Sequence, residues 1–470
     1  MNFTQGLFWP FVYSALCGLG MQKKTTHSDL SRDAKLNIAV IGSGISGLSA
    51  AWLLSKNHNV TVYEANAYLG GHSNTVDILS EGKTIAVDTG FIVYNEPAYP
   101  NLTRLFNDLS VETYPTEMSF AVSIDNGKLE YAGNGLGRLF AQKSNLLKLS
   151  FWSMLKDIKR FYAQAPNDAQ LHQEITLGDY LDSKGYSRSF CDNHLYPMAA
   201  AIWSMPALKV GDYPFKSFVN FCVNHGLLQI GNRPIWRTVR GGSREYVKKI
   251  SQAFKNNIEL NNPVINIKRC KDYVEVLSQK SSKTYDHVVI SSHADHALAL
   301  LEDASKAERE ILGSFEYSEN YTVLHTDPTL MPKNKKTWSS WNYLSYEKDL
   351  SARLTATYWM NSLQSLDTNE PIFVSLNPVN HPDKAKIHRE FIYHHPIFDI
   401  KAMAAQKKIW SLQGHQRTWF CGSYHGFGFH EDGLQSGLAV AEKISGIKRP
   451  WRISGESNRI AIDDDQERAL

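Results

Sequence analysis

A chain of 470 residues with 43% hydrophobic and 21% charged side chains is too long for one simple core and predicts two lobes around a shared cleft. Its 50 basic and 47 acidic residues leave a net charge of +3, without the concentrated basic face that nucleic-acid binding requires. Five scattered cysteines (Cys17, Cys191, Cys222, Cys270 and Cys421) form no Cys-x-x-Cys pair, which argues against a disulfide framework or zinc site and for a reducing, cytoplasmic compartment.

The chain opens on an apolar run, Leu7 to Gly20, that no Lys or Arg precedes and that is too short to span a bilayer. Met21 then begins a polar stretch, so residues 1–35 are expected to be a disordered or over-extended leader. A cleaved signal peptide or a membrane-touching anchor is the alternative. Leu36 to Ile41 reads as a buried parallel strand, Gly47 to Lys56 as a helix with small residues against the sheet, and Val60 to Glu64 as the second strand of a βαβ unit. Ser73 to Ile78 and Thr84 to Val87 predict a β-hairpin turning at Gly82. Helical patterning runs from about Leu136 to Leu228. Two strand-like stretches come next, Ile258 to Cys270 and Tyr273 to Ser278, which predict a second hairpin. Tyr285 to Ser291 is a further buried strand, Gln416 to Gly422 a last strand and Gly433 to Ser445 a last helix. From Arg452 the chain turns polar and is expected to fray.

The first turn carries the chemistry. In Gly42-Ser43-Gly44-Ile45-Ser46-Gly47 the first glycine permits the tight turn, the second lets backbone approach a pyrophosphate, and the third lets helix pack on strand. The helix N-terminus offers free N–H groups and a positive dipole end to the phosphates. Glu64, at the end of the second strand, is placed to accept hydrogen bonds from a ribose 2′-OH, which argues against a 2′-phosphate and so against NADP.

Beyond this turn the chain resembles the flavin amine-oxidase superfamily, which includes monoamine oxidases and carotenoid desaturases. The matching residues are Gly70-Gly71-His72, Val87-Asp88-Thr89-Gly90, Arg240-Gly241-Gly242-Ser243, Asn262-Pro263-Val264, Trp419-Phe420-Cys421-Gly422-Ser423 and Asp432-Gly433-Leu434-x-Ser436-Gly437. The resemblance implies FAD as cofactor, with Gly70, Gly71 and His72 along the pyrophosphate and ribityl chain and the backbone of Val264 at the adenine. It also implies that Gly422, Ser423, Asp432, Gly433 and Leu434 lie at the flavin ring. Two positions depart from the family pattern: His72 stands where an arginine is usual, and Ser423 where an acid is usual. Narrower stretches, Thr89 to Glu96, Glu117 to Phe120, Pro197 to Ser204 and Gly426 to Asp432, are similar to a bacterial group of FAD-binding, amine-oxidase-like proteins. A related domain precedes the cyclopropane-fatty-acid synthase of plants.

Tyr94, Trp203, Tyr424, His425 and His430 come from segments that the resemblance places beside the flavin. The aromatics would sandwich a substrate, and a histidine would take a proton as hydride leaves for flavin N5. His293 and His296 flank Asp295, and His394 and His395 are adjacent, but neither pair has metal-site spacing, so no metal is expected. Leu147, Phe151, Met154, Ile158 and Phe161 recur at helical spacing with Lys148, Lys156, Lys159 and Arg160 on other faces. This is a helix turned into the core or one resting on an anionic membrane surface.

The expected fold is α/β, a Rossmann-like FAD-binding domain with an inserted mixed α+β substrate domain. FAD-binding segments at 36–110, 235–299 and 411–450 would alternate with substrate segments at 111–234 and 300–410, before a polar tail at 451–470. The expected activity is FAD-dependent oxidation or desaturation of an organic substrate, a lipid chain or a small amine, with electrons passed to oxygen or another acceptor. An isomerase without net redox, and a non-catalytic flavin-bound partner of a lipid-modifying synthase, are the other readings.

Overall fold

Ile38, Ala39 and Val40 are fully buried, the mark of a strand covered on both faces. In the computed structural model, which describes residues 35–171, 175–346 and 355–462, that strand (Asn37–Ile41) is the centre of a five-stranded parallel sheet. The order is Ile258–Glu259, Asn59–Tyr63, Asn37–Ile41, His287–Ile290 and Thr418–Phe420, with Ile38 in register with both Val60 and His287. The helix Ile45–Leu54 comes after the first strand and is buried along its whole length. It lies between the sheet and a closing helix, His430–Ser445. Those two helices meet through small residues: a Cβ on Gly437 would overlap the Ser46 carbonyl oxygen. The leader expected at residues 1–35 lies outside the described residues, save Lys35.

The predicted hairpin is present as Thr75–Ser80 paired with Lys83–Asp88. The second differs from expectation. The chain breaks after Ile258–Glu259, which joins the parallel sheet, and only Val264–Arg269 pairs with Val274–Ser278. The reason is local: Asn261 sits at φ +48 and Pro263 has no N–H to give a ladder.

A seven-stranded mixed sheet forms from two separated stretches, with Phe120–Ile124 running parallel to Trp341–Leu344. Helices cover it, among them Leu149–Leu171, Tyr196–Trp203 and Phe215–Asn224. The first of these turns Phe151, Met154 and Phe161 inward and leaves Leu149 and Trp152 exposed, while Leu147, expected on the same helix, is exposed at the end of a separate 3₁₀ turn, Lys143–Leu147. Among the described residues no helix is long and apolar enough to cross a membrane.

The polar tail departs from its expected fraying as far as residue 462. Arg459, 6% exposed, donates to Asp432 Oδ1 at 3.4 Å and to the Ala98 carbonyl oxygen. Residues 463–470 lie outside the described residues.

Candidate functional site

Three pieces of chain converge at the carboxyl edge of the parallel sheet. Gly42 turns the chain out of the first strand at φ +100, and its N–H donates to the Tyr63 carbonyl oxygen at 2.8 Å. A Cβ on Gly47 would overlap the Gly42 carbonyl oxygen, so only glycine lets the helix start this close to the strand. A Cβ on Gly44, in contrast, would meet no protein atom within 4 Å. The turn is therefore tight on its inner side and open where a phosphate would approach the N–H groups ahead of Ile45 and Ser46.

Glu64 ends the second strand and is tied to that turn. Its Oε2 accepts Ser43 N–H at 3.0 Å and Ser43 Oγ–H at 2.6 Å, while its Oε1 accepts the backbone and side-chain amides of Asn66, each at 2.9 Å. A carboxylate accepts about four hydrogen bonds, so a ribose hydroxyl would displace Ser43 Oγ or Asn66 Nδ2. Gly70 N–H donates to Ser43 O at 3.0 Å, and a Cβ on Gly71 would stand 3.2 Å from Gly44 Cα. His72 comes directly after, with a buried, unpartnered Nε2. Val264 begins its strand opposite Ser278, half-buried.

The closing segment reaches the same edge. Gly422 N–H donates to Ser436 Oγ at 3.0 Å, which binds Gly422 to the closing helix, and Ser423–His425 forms a single 3₁₀ turn. A Cβ on Gly433 would come within 2.9 Å of Ile45 Cγ2 and Ser46 Oγ, so the first turns of the two helices lie side by side. Leu434 is fully buried. Asp432 accepts Phe429 N–H at 2.8 Å. Burial raises its carboxyl above the usual range, against the pull of Arg459.

Tyr424 and His425 are buried in that 3₁₀ turn, 5.0 Å apart between rings, with the Tyr424 hydroxyl and both His425 nitrogens unpartnered. Burial drives the tyrosine up and lowers the imidazole to about 3, so His425 is neutral across the physiological range. His430 is engaged through Nε2, which meets Ser73 Oγ at 2.9 Å and Tyr246 OH at 3.2 Å, and through its ring, which stacks on Phe91 at 3.7 Å. Trp203 packs on Phe221 and Tyr213, in a different hydrophobic cluster from Tyr94. Tyr94 lies edge-on to Tyr99 and Phe106, with its hydroxyl 3.3 Å from Thr113 Oγ1. The structure thus pairs Tyr424 with His425 and seats Tyr94 and Trp203 in separate packing environments.

A turn open at Gly44, an acid, Glu64, at the end of the second strand and orphaned polar atoms at His72, Tyr424 and His425 all fit a dinucleotide that carries a second, reactive end. The sequence profile of the flavin-containing amine oxidoreductase family matches residues 45–371. The chain belongs to that family. As a member it takes FAD, and the residues just described fit that cofactor. It is 26% identical over 259 residues to human flavin-containing amine oxidase B, a match covering 52% of this chain and 47% of that one. The chain thus spans about half the length of the curated relatives it matches. Its fold is similar to that of a protoporphyrinogen oxidase from Exiguobacterium, with TM-score 0.63, 15% identity, and coverage of 88% of this chain and 99% of that one. A fatty acid isomerase from P. acnes gives TM-score 0.60, 15% identity, and coverage of 89% and 99%.

Two groups at this edge carry no local sequence signal. Arg459 reaches Asp432 from a polar tail. His395, with Asn320 Nδ2 at 2.9 Å from its Nδ1, stands 5.3 Å from His72 between ring centroids. Neither lies in a motif or a periodic face: the pairing of Glu316–His325 with Ile387–Ile397 brings His395 there, and the tail folding back onto Asp432 and Ala98 brings Arg459.

Proposed function

We propose that this protein is an FAD-dependent oxidoreductase that oxidises or desaturates an apolar, lipid-like substrate, passing the electrons to oxygen or another acceptor. Segments 36–110, 235–299 and 411–450 would hold the cofactor, and 111–234 with 300–410 would shape the substrate site. When bound, FAD supplies a hydride acceptor. His425, neutral and unpartnered, would take the substrate proton, while Tyr424 and the apolar surroundings exclude water.

The observation that carries the substrate class is the wall behind the closing segment. Phe429 stacks on Phe221 at 4.9 Å, Phe427 meets the same ring at 5.8 Å, and Trp203 backs Phe221 at 4.6 Å. Apolar rings of this kind accept an alkyl chain, and the carboxylates beside Phe429, those of Glu431 and Asp432, are already committed to Asn101, Leu102 and Arg459. The fatty acid isomerase with a similar fold is consistent with that class. The exposed Leu147, Leu149 and Trp152 beside Lys148 and Lys156 suit peripheral contact with an anionic membrane from the cytoplasmic side.

The test is anaerobic mixing of the FAD-loaded protein with fatty-acyl and amine panels while the oxidised-flavin absorbance is followed. Bleaching by acyl compounds alone supports the proposal. Bleaching by small amines alone transfers it to an amine oxidase, the reading that the human relative's name favours. Retained FAD that no compound reduces, in a protein that supports a companion synthase, would make it a non-catalytic partner.

A further inference from the structure

Two histidine pairs separated by about a hundred residues meet around His72. Its ring lies 5.0 Å from Tyr393 and 5.3 Å from His395, both on the strand Ile387–Ile397. His293, close enough to His72 for their charges to interact, stacks on Tyr317 at 4.4 Å and on His296 at 5.1 Å, and meets His394 at 6.1 Å. His72 Nε2 and His293 Nδ1 are both buried without a partner. The cluster adjoins the dinucleotide turn twice. Gly71, the neighbour of His72, presses on Gly44, and Ser291, two residues before His293, donates its Oγ–H to Gly42 O at 2.8 Å.

The charges around these rings are unusual for an anion site. Burial lowers His72 to about 4 and His293 and His395 to about 3, and the charges that act on them are those of neighbouring histidines. On the closing helix, His430 is lowered to about 3 by burial, with His72 acting on it as well. The carboxylates stand further out. Asp295 has an oxygen within 4.8 Å of a nitrogen on each of His293 and His296, Glu319 is 4.0 Å from His394 Nε2, and Glu64 holds the far side of the turn. Tyr393 and Tyr317 are themselves buried and pushed up in pKa, so they stay neutral. Without ligand His72, His293 and His395 are therefore uncharged near neutral pH. A diphosphate brought against it would supply the missing counter-charge and an acceptor for each N–H, which favours the charged form of a group that burial alone keeps neutral.

We propose that His72, His293 and His395 together form the cofactor's cationic contact, standing in for a permanently charged arginine, and that they take up protons from solvent as FAD binds. Binding then carries its own pH dependence. Each proton gained makes the affinity fall about tenfold per pH unit between the free-state and the bound-state pKa and level off above the latter, whereas a fixed charge gives no slope. No covalent bond changes. The proton comes from the buffer and rests on an imidazole nitrogen.

Calorimetric titration of the full-length apoprotein with FAD at pH 7, in buffers of high and low ionisation enthalpy, counts the protons. Quenching of FAD fluorescence between pH 6 and 8.5 gives the affinity slope. The expected result is a buffer-dependent heat equal to at least about half a proton, and an affinity that falls with pH. His72→Arg should bind FAD at pH 8 at least as tightly as the parent with a flatter slope, and His395→Gln should lower the proton count and weaken binding, more at pH 6 than at pH 8.5. A heat independent of buffer, or an uptake that persists unchanged in both variants, overturns the proposal. Because the wild-type calorimetry needs no variant, a misfolded mutant does not decide the matter. A wild-type protein that binds no FAD at any pH would overturn the cofactor assignment itself, a result distinct from FAD bound without protons.

Discussion

Substituting Gly44 separates folding from cofactor binding. Its φ of −65° and ψ of 176° suit any residue, and a Cβ there meets no protein atom within 4 Å. Gly44→Ala should therefore change apoprotein stability by no more than about 0.5 kcal/mol, with a small gain expected from the stiffer unfolded chain. The same methyl would enter the open space where a pyrophosphate would come close to backbone. Overfilling a contact by one methyl costs about 1–3 kcal/mol, which is a loss of about 5- to 150-fold in FAD affinity. Gly47→Ala is the contrasting change. Helix propensity favours alanine by about 1 kcal/mol, but its Cβ would overlap the Gly42 carbonyl oxygen and crowd Ser291 Oγ, so the turn has to move. That variant should lose stability and FAD binding together. Urea unfolding of each apoprotein, paired with fluorescence-quenching titration at one pH, measures both quantities. If Gly44→Ala binds FAD as the parent does, the open face of the turn is not the cofactor surface. If it unfolds as readily as Gly47→Ala, the steric argument fails.

The same geometry gives three further expected outcomes. Arg459→Met strands the fully buried Asp432 carboxylate and should cost about 3–5 kcal/mol at pH 8. Since burial raises that carboxyl, the penalty is lost as pH falls towards the unfolded value near 4, and urea unfolding at pH 5 and 8 shows whether it is. His425→Leu removes two unpartnered buried nitrogens. It should stabilise the apoprotein by about 1 kcal/mol while slowing anaerobic flavin reduction about 100-fold or more, and a lower melting temperature with unchanged reduction would refute both halves. His325, lowered to about 4 by burial, accepts Asp327 N–H at Nδ1 and lies 2.8 Å from Ser375 Oγ. A depressed histidine contributes stability above the unfolded value that disappears as pH falls, here by about 1.4 kcal/mol per unit between about 6.5 and about 4. His325→Gln should flatten that part of the acid unfolding curve.

Features written locally are the ones legible before folding. The glycine turn, the strand on each side and Glu64 lie within about thirty residues and obey the short-range rules of a βαβ unit, so the start of the sheet was legible. The break at Asn261 to Pro263 was also local, yet two hydrophobic stretches on either side masked it. The parallel pairing of Phe120–Ile124 with Trp341–Leu344 has no such trace, because register between strands two hundred residues apart depends on everything that folds between them. The histidine cluster fails to announce itself for the same reason: two ordinary pairs become one feature only when Ile387–Ile397 lies along Glu316–His325. Arg459 was hidden in another way. A single arginine in an acidic, polar tail looks solvated, and its value comes from a buried carboxylate that tail composition does not encode.

The closing helix shows how the chemistry expected of a motif shifts once the start of its helix is known. The sequence places the helix start at Gly433, which would leave the amides of Gly433 and Leu434 free for the flavin. The structure starts the helix at His430, and Gly433 N–H is already committed to the Phe429 carbonyl oxygen at 3.1 Å. A helix leaves unspent the N–H groups of its first turn, here those of His430 to Asp432. The side chains of that turn are occupied as well. Glu431 accepts Asn101 Nδ2–H at 2.7 Å and Leu102 N–H at 3.0 Å, Asp432 is held by Phe429 and Arg459, and His430 by Ser73. Side chains that are all engaged cannot swing towards a ligand, so what this turn would offer a flavin is backbone and dipole. The role of Gly433 is then steric. Lacking a side chain, it lets the closing helix lie against Ile45 and Ser46, which brings its first turn to the edge where the dinucleotide turn opens.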